Sequence, residues 1–150
     1  MGRNRKGRRW HPWRHIGKHH PHIRVTCRDV LPDGLKGAWT GDTVYLDPSL
    51  GQASRRWVLT HEIHHIERGP VPDDPYLSAI EERIVDILSA RKLIPLPQLV
   101  DALVWTQDHH ELAEELWVDV DAIAVRLDNL TPAERAHIHR ELARRQPWNN

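Results

Sequence analysis

The spacing of hydrophobic and polar positions changes once along this chain, near Pro48. From His22 to Val30, Ile23, Val25 and Cys27 alternate with Arg24, Thr26 and Arg28, the period-two pattern of a half-buried strand. Pro32-Asp33-Gly34 marks a turn. Leu35–Thr40 and Thr43–Leu46 then read as two strands joined at Gly41-Asp42, a dipeptide that tolerates positive φ. After Pro48 the apolar residues recur at helical spacing. Trp57, Val58, Ile63 and Ile66 predict an amphipathic helix over about residues 52–67, stopped by Gly69-Pro70. The proline-rich run from Pro70 to Pro75 predicts a loop. A second helix follows over about residues 76–93, with Leu77, Ile80, Ile84, Ile87 and Leu88 on its buried side. Beyond Pro95 and Pro97, helices are expected over 97–106, 109–117 and 120–130. Thr131-Pro132-Ala133-Glu134 is a capping box that opens a last one.

These elements predict an α+β fold: a small antiparallel sheet, two long helices, and a C-terminal helical bundle. A chain of 150 residues suits one compact domain or one domain with a small appendage. Residues 1–9, rich in Gly and Arg, are expected to be a disordered basic tail. Residues 10–95 then form the core, anchored from Trp10-His11-Pro12-Trp13 onward, and residues 96–150 form a helical subdomain.

Charge and cysteine content narrow the chemistry. Residues 1–28 carry nine Lys/Arg and no Asp/Glu, while the rest carries twelve against twenty-one, so a cationic head precedes an anionic body. Such a head attracts phosphates or acidic protein surfaces. No apolar run approaches the roughly 20 residues that span a bilayer, and none follows the basic N-terminus as a secretory signal requires. Cys27 is the single cysteine, which rules out an internal disulfide and any multi-cysteine zinc site. A cytoplasmic location is therefore expected, and any metal must rest on His, Asp or Glu.

His61-Glu62-Ile63-His64-His65 offers such a set. His61 and His65 are four residues apart on a predicted helix, so both imidazoles project from one face and can converge on one ion. Glu62 can reach a water at that ion without ligating it, the position of a general base. A catalytic zinc needs a third protein ligand. Glu82, on the next predicted helix, can supply it, and Asp86 one turn later can orient a ligand histidine through its far nitrogen. Glu81 competes with Glu82, but one turn after it stands Val85 rather than a polar residue. His64 points about a third of a turn away from the two ligands and reads as a residue behind the ligands or on the rim rather than a ligand. His64, Tyr76, His109 and His110 are the candidates for stabilising an oxyanion.

The order of these motifs resembles the ImmA/IrrE family of metallo-endopeptidases, of actinobacterial or phage type. The matching residues are the strand pair, His61-Glu62-Ile63-His64-His65, Glu82-Arg83-Ile84-Val85-Asp86, and Leu93-Ile94-Pro95. Farther on, Glu111-Leu112-Ala113 through Trp117-Val118-Asp119 to Val125-Arg126-Leu127-Asp128-Asn129-Leu130 is similar to a later family segment. The resemblance spans about residues 35–131. It departs at Val85, where Ala is usual, at Leu88, where Phe is usual, and at Glu67, where many zincins carry an apolar residue. It implies zincin-type active-site helices, Zn2+ as cofactor, a gluzincin ligand set of His61, His65 and Glu82, and cleavage of a repressor in phage immunity or stress regulation.

The C-terminal part reads as helix-turn-helix-like, from Leu112-Ala113 through Val118 to Ala122-Ile123-Ala124-Val125-Leu127. Its second helix begins with Asp119 and Asp121, which phosphates would repel, so it reads as a packing or protein-recognition unit rather than a DNA reader. The leading expectation is a zinc endopeptidase whose protein substrate is a helix-turn-helix repressor. The alternative is a non-catalytic or toxin–antitoxin regulatory module that binds nucleic acid through residues 1–28.

Overall fold

The computed structural model describes residues 9–146. Most of the expected basic tail, residues 1–8, lies outside the described residues. Within 9–146 the chain is mixed α+β, with three strands followed by a helical C-terminal part. It divides into two compact units, one of residues 11–89 and one that joins residues 9–10 to residues 90–146.

The first unit opens with α1 (Pro12–His19), which the sequence reading did not anticipate. Pro12 occupies the first turn, where a missing N–H costs nothing, and Pro12 and Ile16 are the buried side chains that dock the helix. At eight residues the helix is shorter than the window of about 11–18 residues over which periodicity is read. Three short strands follow: β1 (Arg24–Thr26), β2 (Gly37–Thr40) and β3 (Thr43–Leu46). The sheet is mixed, in the order β1-β3-β2. The expected hairpin forms between β2 and β3, with Gly41 at φ 60° in its turn. In place of the fully antiparallel sheet expected, β1 lies parallel to β3, pairing Val25 with Val44. The ten residues between β1 and β2 carry the chain past β3, which makes that parallel pairing accessible.

Val44 and Leu46 on β3 pack with Leu59 and Ile63 of α2 (Gln52–Arg68) to form the core of this unit, all at or near zero exposure. Gly69 ends α2 at φ 97°, its N–H donating to the His65 carbonyl. Gly37 is fixed by close approach. A Cβ there would lie 2.3 Å from Val58 Cγ1 and 3.5 Å from Glu62 Oε1. Gly37→Ala is therefore expected to cost about 1–3 kcal/mol through overpacking, read as a lowered denaturation midpoint. An unchanged midpoint would contradict this packing of β2 on α2.

α3 (Pro75–Leu93) presents a different face from the one expected. Val85, Ser89, Ala90 and Leu93 are buried, Ile84, Ile87 and Leu88 are half-buried, and Leu77 and Ile80 are 49% and 41% exposed. The helix is apolar on more than one side, and periodicity alone does not say which side meets the core.

The second unit holds α4 (Leu96–Trp105), α5 (His109–Leu116), α6 (Val120–Asp128) and α7 (Pro132–Arg145). Leu99, Val100, Leu103, Leu112, Leu116, Ile123 and Ile138 form its core. Asp108 caps α5 and Asp119 caps α6, each accepting backbone N–H donors. Trp117, at φ 55°, makes the tight turn between them. The Thr131–Glu134 capping box is formed as expected. Arg9, assigned by sequence to the tail, donates to the Glu115 carbonyl and lies over the Trp117 ring.

Candidate metal centre

Helical spacing places the chemistry of the first unit. α2 carries His61, Glu62 and His65, and α3 carries Glu82 and Asp86. Their side chains meet between the two helices. His61 Nε2 lies 3.0 Å from His65 Nε2 and 3.0 Å from Glu82 Oε2, and His65 Nε2 lies 3.1 Å from Glu82 Oε1. On the far side of its ring, His61 donates from Nδ1 to Asp86 Oδ1 at 2.9 Å. Asp86 thus fixes which His61 nitrogen faces the cluster. His65 is buried, and its Nδ1 has no hydrogen-bond partner among the described residues, so Nε2 alone is engaged.

The donor set fits a tetrahedral divalent ion. For ligand atoms about 2.0–2.1 Å from a central zinc, neighbouring ligands stand about 3.3–3.4 Å apart. The separations here, 3.0 to 3.2 Å, are already close to that edge. Two imidazoles and one carboxylate satisfy zinc's nitrogen and oxygen preferences and leave a fourth position open. Replacing Asp86 by Ala is expected to weaken zinc binding about 10–100-fold, measurable by competition with a chromophoric chelator. An unchanged affinity would show that Asp86 does not orient His61.

Electrostatics follow from burial and proximity. Burial by itself would lower the His61 pKa. The Asp86 hydrogen bond and the nearby Glu62, Asp86 and Glu82 carboxylates outweigh it, and the net shift is upward. Burial raises the Glu62 carboxyl, and the attraction of His61 and His65 only partly offsets this.

The other residues singled out by sequence separate cleanly. Glu81 is not in the cluster: Arg68 grips it through Nε at 2.5 Å and Nη2 at 3.0 Å. His64, half-buried, turns its Nδ1 to the Thr60 carbonyl at 2.9 Å and to Ser89 Oγ at 3.0 Å, and it does not line the cavity. Tyr76 is 74% exposed at the start of α3. His109 and His110 belong to the second unit.

His61, Glu62, His65 and Glu82 open into a cavity of about 560 Å³ whose other walls are Leu35, Gly37, Trp39, Gly69 and Val71. None of these five was legible as a site residue from sequence, because small and apolar wall positions carry no chemical signature. The run of strand residues next to the metal motif was the available clue. Compared with known proteins, the chain matches no family model, no curated protein and no solved structure.

Proposed function

We propose that the chain is a zinc-dependent endopeptidase that cleaves a helix-turn-helix transcriptional repressor, as its resemblance to ImmA/IrrE proteins suggests. The observation that carries this reading is the convergence of His61 Nε2, His65 Nε2 and a Glu82 carboxylate oxygen, with Glu62 in the same cavity wall. Zinc held by those three residues would supply a Lewis acid and lower the pKa of water toward neutrality. Glu62 takes the proton from the attacking water and delivers it to the leaving amine. Asp86 keeps the His61 Nε2 lone pair directed at the ion.

A peptide substrate suits the cavity wall. β2 is an edge strand of the sheet, and its Gly37 and Trp39 line the cavity beside Glu62. An extended peptide can pair with such an edge through main-chain hydrogen bonds, which would run its carbonyls past the metal cluster.

The test starts from the neighbouring genes: any helix-turn-helix repressor encoded there is incubated with the zinc-loaded protein. Discrete, chelator-sensitive cleavage is the expected result. The charge asymmetry favours one competing reading, a regulatory module that binds nucleic acid through residues 1–28. That reading wins if no neighbouring repressor is cut and the protein instead binds DNA with an affinity that falls steeply with salt.

A further inference from the structure

A second group of metal-ligating side chains lies in the first unit, where α1 meets the last turn of α2. His15 and His20 both direct Nε2 at the same oxygen, Glu67 Oε1, the His20 contact being 2.9 Å. The three ligand atoms lie within 4.8 Å of one another. The two imidazoles are four-fifths covered, with side-chain exposures of 20% and 19%, while Glu67 is 37% exposed.

Local sequence builds this convergence. Buried Ile16 seats α1, which fixes the neighbouring His15 beside α2. Pro21 disfavours helical φ/ψ at the residue before it. His20 accordingly leaves the helix at φ −135° and ψ 58° while its N–H still closes on the Ile16 carbonyl. That break brings the His20 ring round to the same side as His15. Glu67 sits in the last turn of α2, and α1 ends nearby, so the unsatisfied carbonyls at two helix C-termini favour positive charge in this neighbourhood. His19 packs on His15 at 4.6 Å between ring centroids and walls the group on one side.

We propose that His15, His20 and Glu67 form a second binding site for an imidazole-preferring divalent cation, zinc foremost, that fastens α1 to the end of the helix carrying His61 and His65. Two histidines and a carboxylate supply the ligand types that zinc takes, with solvent completing the shell. The site is separate from the cluster in the cavity: it shares no ligand with it, and Glu67 faces α1 rather than the cavity wall. Its role is structural: it ties α1 to the last turn of α2.

The test is zinc stoichiometry of the untagged full-length protein after chelator treatment and equilibrium dialysis against zinc. Wild type is expected to hold two equivalents. His61→Ala/His65→Ala and His15→Ala/His20→Ala should each hold one, and the quadruple variant none at the same free zinc. In the His61→Ala/His65→Ala protein, the remaining equivalent should raise the melting temperature. The proposal is overturned if wild type holds one equivalent that disappears in His61→Ala/His65→Ala, or if a second equivalent persists in His15→Ala/His20→Ala. Because each double variant reports its own site, loss of one site does not obscure the other. Should His15→Ala/His20→Ala lose its helical circular dichroism, Glu67→Gln, near-isosteric and exposed, replaces it. That change should weaken the second equivalent by at least about tenfold, and an unaltered affinity would equally overturn the proposal.

Discussion

Glu62→Gln is expected to abolish peptide hydrolysis while leaving zinc bound in the cavity. Gln keeps the shape of the side chain and cannot accept a proton at neutral pH. General-base catalysis typically contributes 10²–10⁴-fold, about 3–5 kcal/mol of barrier. Glu62 lines the cavity beside both histidines but is not part of the converging donor set. The expected signature is thus a fall in kcat with metal content unchanged. Loss of zinc together with activity would instead make Glu62 a ligand, and undiminished activity would remove it from the mechanism.

The largest expected effect on stability lies in the second unit. Arg126 is 2% exposed, donating from Nε to the Ile94 carbonyl at 2.8 Å and from Nη2 to Glu134 Oε2 at 2.7 Å. Arg91 Nη1 reaches the other Glu134 oxygen at 2.7 Å, and the Thr131 N–H donates to it as well. Glu134→Ala would leave a buried guanidinium uncompensated and open the capping box, so a loss of about 3–5 kcal/mol is expected in a denaturant titration. A change below about 1 kcal/mol would mean that this pair is solvated.

The same residue gives the pH dependence. Burial by itself would raise the Glu134 carboxyl, but the Arg126 and Arg91 hydrogen bonds and the Thr131 N–H hold it down at about 2, against an ordinary 4.5. A folded-state pKa below the unfolded one stabilises the fold fully above pH 4.5, and that contribution is lost as pH falls toward 2. The shift corresponds to roughly 3 kcal/mol. Acid unfolding of wild type should therefore steepen across that window, and Glu134→Gln should flatten it.

Much of this arrangement was legible in the chain, for a definite reason. His61 and His65 share one face of α2, and Glu82 and Asp86 one face of α3, because four-residue spacing on a helix fixes which residues lie together. The capping box at Thr131 and the turn at Gly41 are equally local. What escaped the sequence depends on contacts between distant segments. The parallel pairing of β1 with β3 is decided by how the ten residues between β1 and β2 route. The buried face of α3 is chosen by its neighbours, which leaves Leu77 and Ile80 outside. Gly37 shows its purpose only when Val58 stands over it. Glu67 looked like a departure from the zincin pattern, and its partners His15 and His20 lie 52 and 47 residues away, on and just past a helix of only eight residues.

The most direct measurement of the central claim is an anomalous difference map at the zinc absorption edge, from crystals of the zinc-loaded protein. A peak about 2.0–2.2 Å from His61 Nε2, His65 Nε2 and a Glu82 oxygen is the predicted result. No peak at that point, with His61 and His65 still hydrogen-bonded to Glu82, would contradict it.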